Sequence, residues 1–127
     1  MKNIILCLLG LVLVSCVGGE KEVVKPAIVK QEHQCAVDGM ILKNFAGPKA
    51  QVHFKDRKQS EVVDYYCETE EMFKVYLEPG MKARIKELFV QDTGEVDWEK
   101  PVGGWIKATD AIYVIESSRD GAMGRTF

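Results

Sequence analysis

Residues 50–54, Ala-Gln-Val-His-Phe, alternate apolar and polar side chains with a period of two. After a polar stretch at 55–60, residues 61–67 are rich in β-branched and aromatic types. That alternation puts one row of apolar side chains on one face of a pleated strand, so the two segments predict a hairpin. The period then changes. Met72, Phe73, Tyr76 and Leu77 fall on one face of a helix over 70–77, with Thr69 as its cap and Glu70 and Glu71 at the positive end of its dipole. Pro79-Gly80 stops the helix, and 85–91 returns as a strand. The order strand, strand, helix, strand predicts an α+β fold of small antiparallel sheets with a short helix, its first ββαβ-type unit covering 35–92. Turn residues Asp92-Thr93-Gly94 open a second unit over 93–127, in which 105–108 and 111–115 read as strands.

Ahead of this pattern, Lys2 precedes an apolar run from Ile4 to Val14 that closes with Leu13-Val14-Ser15-Cys16. A spanning helix needs roughly 20 apolar residues, whereas a secretory signal needs about 7–15, so the run fits a signal. Leu-Val-Ser-Cys resembles a bacterial lipoprotein signal, which implies removal of 1–15 and acylation of Cys16; a plain signal peptide cleaved nearby is the alternative. Acyl chains on Cys16 would hold the protein on a membrane surface. Val17 after that cysteine, in place of aspartate, resembles an outer-membrane sorting pattern. Residues 16–34 then read as the lipidated cysteine and a flexible tether, small and charged, with Pro26 and no sustained period. The 17 Lys and Arg against 19 Asp and Glu are interleaved and form no basic face, which argues against a nucleic-acid partner.

The chemistry concentrates in Cys35-Ala36-Val37-Asp38-Gly39-Met40, where a thiol and a thioether flank a flexible glycine. These are the soft donors that favour Cu(I), although both residue types also serve as packing. Met123 lies between Ala122 and Gly124 in a glycine-rich tail that reads as an exposed loop. Cys67 follows an apolar strand and has two readings: a disulfide with Cys35, the default in an oxidising periplasm, or a small buried hydrophobe. Met72 is read as core from its helical spacing. His33 could add an imidazole or stay solvated at the end of the tether; His53, within a strand, is read as packing or hydrogen bonding. Asp38 is a hard oxygen donor poorly matched to Cu(I), and is expected instead to orient its loop by bonding to backbone groups.

Six short segments together resemble the NosL family of copper-binding lipoproteins that assist nitrous oxide reductase maturation. They are Cys35 to Met40, Gly47-Pro48-Lys49-Ala50-Gln51, Phe89-Val90-Gln91-Asp92, Asp97-Trp98, Gly104-Trp105-Ile106-Lys107-Ala108 and Gly121-Ala122-Met123-Gly124. The resemblance implies two ββαβ-type units related to the fold of organomercurial lyase, the second lacking the helix and final strand with which relatives usually end. It implies a periplasm-facing Cu(I) carrier rather than an enzyme, delivering copper to the ABC-type machinery that serves the reductase's copper-sulfide centre. Carried onto this sequence, the ligand set is Cys35, Met40 and Met123, with His33, Asp38 and Cys67 as subsidiary candidates. Many relatives have a second cysteine at the position of Asp38, so a two-thiolate clamp within this loop is unavailable. Two alternatives stand beside this reading. One is a structural or thiol-disulfide lipoprotein using Cys35 and Cys67. The other is an organomercurial-lyase-like enzyme using those cysteines with Asp38.

Overall fold

A computed structural model describes residues 22–58 and 62–125, so the expected signal, the expected lipidation site Cys16 and residues 59–61 lie outside the described residues. Strand β1, Ala50–Phe54, pairs antiparallel with β2, Val63–Tyr66, on one side and with β3, Ile85–Gln91, on the other. Strand β4, Trp105–Lys107, adds to the free edge of β3, so the sheet order is β2-β1-β3-β4. The first strand predicted for the second unit thus belongs to the same sheet as the first unit.

Alternation in β1 decides what covers each face. Ala50, Val52 and Phe54 point into a core with Tyr66, Met72, Leu88, Val90 and Ala108, and helix α1, Thr69–Leu77, seals it with Met72, Phe73, Val75 and Tyr76. Fully burying a side chain such as Val52 or Met72 stabilises the fold by roughly 1.5–3 kcal/mol. Gln51 and His53 point to the opposite face, where polar groups need partners. Ala27 supplies them: its N–H donates to Gln51 Oε1 and its carbonyl accepts from Gln51 Nε2, both at 2.8 Å. His53 sits 3.0 Å from Gln51 Oε1 and packs edge-on against Phe89, as its strand position suggested. The ordered structure therefore begins upstream of Cys35, within the stretch expected to be tether.

Four local expectations need correction. Thr69 is the first helical residue and does not cap; Glu68 holds the cap position, with no side-chain cap bond. Leu77, expected on the buried face, is 68% exposed, and Val75 packs in its place. A short helix α2, Met81–Arg84, intervenes before β3. Residues 111–115 form no strand: the chain turns at Asp110, and Tyr113 packs edge-on against Phe73 while its hydroxyl donates to the Ala108 carbonyl at 2.7 Å. That anchorage places the segment against α1 rather than alongside β4. Ile112 faces outward as a result.

Candidate functional site

The loop that carries Cys35 is a small hairpin in its own right. Gln34 and Ile41 face each other as an antiparallel bridge, framed by bonds from Cys35 N–H to the Met40 carbonyl (2.8 Å) and from Leu42 N–H to the His33 carbonyl (2.9 Å). Cys35 and Met40 are consequently opposite neighbours across residues 36–39, where directly opposed side chains share a face. Gly39 closes the turn with φ +76°, a left-handed conformation that side-chain-bearing residues resist. Asp38 Oδ1 accepts from Met40 N–H at 2.9 Å, which is the loop-orienting role expected of it.

This loop is stitched to the sheet next to Cys67. Ala36 N–H donates to the Tyr65 carbonyl at 2.8 Å, and Cys67 lies two residues further on, between β2 and α1. Cys35 and Cys67 are joined as a disulfide, their Cα atoms 5.4 Å apart and both side chains buried. Leu42 completes the buried cluster, and Val29, Met40, Phe45, Tyr65 and Ala122 pack against it. Of the two readings left open for Cys67, the disulfide is the observed one.

Ala122 brings in the distant tail. Strands β5, Asp120–Gly121, and β6, Gly124–Arg125, form a two-residue-tipped hairpin, where an open loop was expected. Three contacts dock it. Trp98 Nε1 donates to the Asp120 carbonyl at 3.0 Å, and Met123 N–H donates to Glu68 Oε1. Gly47, whose own N–H reaches the Trp98 carbonyl at 2.7 Å, lies so close to the hairpin that a Cβ there would come within 3.2 Å of Gly121 Cα. Glu68 adjoins Cys67, so the Met123 backbone is fixed one residue from the disulfide; its side chain is 60% exposed. The positioning roles of Gly47, Glu68 and Trp98 were not foreseen. Gly47 and Trp98 at least stood in segments already singled out, whereas Glu68 carried no signal beyond its charge.

The subsidiary candidates fare differently. His33 stacks on Tyr65 with ring centroids 4.2 Å apart, and its Nδ1 accepts from Lys30 N–H at 3.2 Å. A neutral imidazole accepting at Nδ1 carries its proton on Nε2. Burial also pushes the His33 pKa below its ordinary value, which favours that neutral form. Asp38 already uses one carboxylate oxygen on Met40. Among the described residues, no group of three or more His, Cys, Asp and Glu side chains is placed to hold a metal ion.

A buried lysine lies beneath the site. Lys49 Nζ donates to the carbonyls of Ala46 and Gly47, both at 2.8 Å, and burial pushes its pKa down to about 8 while Glu68 and Glu71 pull it back up. The unfolded chain, with lysine near its ordinary 10.5, holds more protons between those two values. Stability therefore rises with pH through that window, by up to about 1.4 kcal/mol per pH unit, and the full penalty is present below it. Denaturant titrations between pH 7.5 and 10 are expected to show this rise in the wild type and to lose it in Lys49→Met.

The match to a family model spans residues 26–127, most of the chain and all of the geometry above. The chain belongs to the NosL family. The copper-binding lipoprotein NosL of Stutzerimonas stutzeri is 38% identical over 122 residues, 92% of this chain and 60% of that protein. The copper-binding lipoprotein NosL of Achromobacter cycloclastes is 31% identical over 114 residues, 82% of this chain and 56% of that protein. This NosL chain thus spans less than two thirds of the length of either relative. The crystal structure of the copper chaperone NosL from Shewanella denitrificans matches with a TM-score of 0.73 at 32% identity, over 80% of this chain and 75% of that one. The small antiparallel α+β architecture read from the sequence is therefore that of a NosL protein.

Proposed function

We propose that this chain carries Cu(I) as cargo, bound in its reduced form by the Cys35 thiolate and the thioethers of Met40 and Met123. An acyl anchor on Cys16 would hold it at the periplasmic face of the outer membrane. From there it would hand copper to the ABC-type machinery that assembles the copper-sulfide centre of nitrous oxide reductase. Relatives named copper-binding lipoproteins and a structural neighbour named a copper chaperone support the cargo.

One observation supports the site: both methionines are pinned through their backbone amides by carboxylates, Met40 by Asp38 and Met123 by Glu68, with Met40 and Ala122 packed against the cluster that holds Cys35. The nearby oxygen donors thus fix backbone while the sulfur donors keep their lone pairs, a division that suits a soft monovalent ion. One thiolate with two neutral thioethers cancels the charge of Cu(I) and leaves no excess charge to bury. Exposure of Met123 gives a partner a route to the ion.

The test is an anaerobic titration of the reduced protein against a cuprous chelator. A single Cu(I) per chain is expected. Met40→Leu and Met123→Leu, which roughly preserve apolar volume, should each weaken binding by about tenfold, or ~1.4 kcal/mol. Unchanged affinity in both variants would reduce the site to a lone cysteine. The disulfide favours a second reading, a lipoprotein in which Cys35–Cys67 is only a structural bridge; reduced protein that takes up no copper would leave that one standing.

A further inference from the structure

Cys35 is asked to do two incompatible things. As a copper ligand it needs a free thiolate, because the thiolate and not the disulfide sulfur is the strong donor. In the structure its sulfur is bonded to Cys67. We propose that Cys67 is the redox partner of the copper-binding cysteine, so that the chain accepts Cu(I) only after a dithiol has reduced the Cys35–Cys67 bond. This inference rests on the copper-carrier reading above and adds to it a condition for loading.

The geometry supports a reversible pair. A Cα separation of 5.4 Å lies within the span that a disulfide bridges. The two cysteines also stay neighbours without the bond, since Ala36 N–H remains tied to the Tyr65 carbonyl and the Cys35 loop is closed by its own bonds to Met40 and Leu42. Reduction would therefore free two thiols in place rather than release a segment of chain. Cys67 is fully buried under Leu42, whereas Met40 keeps partial exposure and Met123 is largely exposed, so cargo approaches Cys35 from the methionine side.

The chemistry balances with one named co-reactant. A thiolate of the dithiol attacks the Cys35–Cys67 bond and forms a mixed disulfide. The dithiol's second sulfur then displaces the remaining protein sulfur, leaving a cyclic disulfide on the reductant and two thiols on the protein. Two electrons and two protons pass from dithiol to protein. Cu(I) afterwards replaces the proton on Cys35, and one proton leaves for each copper bound.

The experiment uses the full chain and Cu(I) competed against a cuprous chelator, without oxygen. Three samples are compared: the oxidised protein, the protein reduced by a dithiol and then freed of it, and Cys67→Ser with no reductant. Intact mass and thiol alkylation fix the redox state of each. The oxidised wild type is expected to bind at least roughly a hundredfold more weakly than the reduced protein, and Cys67→Ser to match the reduced protein within about threefold. Cys67→Ala repeats the last arm should serine at this buried position impair folding. Equal binding by oxidised and reduced wild type would overturn the gate while leaving the carrier intact. Loss of affinity by more than about tenfold in both folded Cys67 variants would also overturn it, since Cys67 would then be a ligand. No uptake by the reduced wild type would sink the carrier reading itself, and the gate with it.

Discussion

Serine in place of Cys35 is expected to weaken Cu(I) binding by the reduced protein roughly a hundredfold or more, about 3 kcal/mol, a larger loss than either methionine variant produces. In the proposed site the thiolate is the one charged donor of the three, and an alcohol at neutral pH supplies neither its charge nor its softness. Substitution at Cys35 also removes the disulfide, so affinity must be compared with that of the reduced wild type. Asp38→Ala is the informative companion. It deletes the bond to Met40 N–H but no sulfur, and should cost only a few-fold in affinity by loosening the loop, consistent with a hydrogen bond worth roughly 1 kcal/mol. Near-wild-type cuprous affinity in Cys35→Ser, measured against the same chelator, would remove the thiolate from the site.

Most of the sheet could be read from local pattern because its strands report their environment in sequence. Residues 50–54 and 85–91 were placed as observed, since one row of apolar side chains meets helix α1 and turn residues bound each strand. The misses share a cause. Residues 111–115 have the β-branched and aromatic composition of a strand, yet the Tyr113 hydroxyl finds the Ala108 carbonyl and its ring finds Phe73, and those tertiary contacts override local preference. Ala27 looked like tether because nothing local reveals that Gln51, 24 positions later, needs both of its backbone groups. A long-range polar debt of this kind leaves no period to detect.

The candidate site was legible as chemistry but not as geometry. Soft donors at Cys35 and Met40 and a distant glycine-flanked Met123 could be named from residue type. That the tail returns to them depends on Trp98, Gly47 and Glu68, which act through backbone bonds and close approach. Five of the six segments that carried the family resemblance contain residues linked by these contacts or by the strands that flank them. Gly47, Trp98 and Gly121 dock the hairpin on one another, and Phe89 to Gln91 pairs with Trp105 to Lys107. Scattered similarity in the chain therefore corresponds to one connected support around the buried cluster of Cys35, Leu42 and Cys67.

Reduction of Cys35–Cys67 is expected to lower stability by roughly 3–4 kcal/mol, the closure entropy of a loop with a sequence separation of 32 residues. For a domain of about 100 residues that corresponds to a fall in Tm of roughly 15–25 °C, a large share of the stability such a domain possesses. The apo protein in its copper-accepting state would then be the weakest form of the molecule. Bound copper should restore part of the loss by mass action, about 2.7 kcal/mol at a free concentration of 100 times Kd. Scanning calorimetry of oxidised, reduced and reduced copper-loaded protein gives the three values, and Cys35→Ser/Cys67→Ser, which has no bond to break, should ignore reductant. A reduced protein melting within a few degrees of the oxidised one would show that the tie from Ala36 to Tyr65 already closes this loop. In that case the bond would contribute little to the fold, and its remaining consequence would be to withhold the Cys35 thiolate.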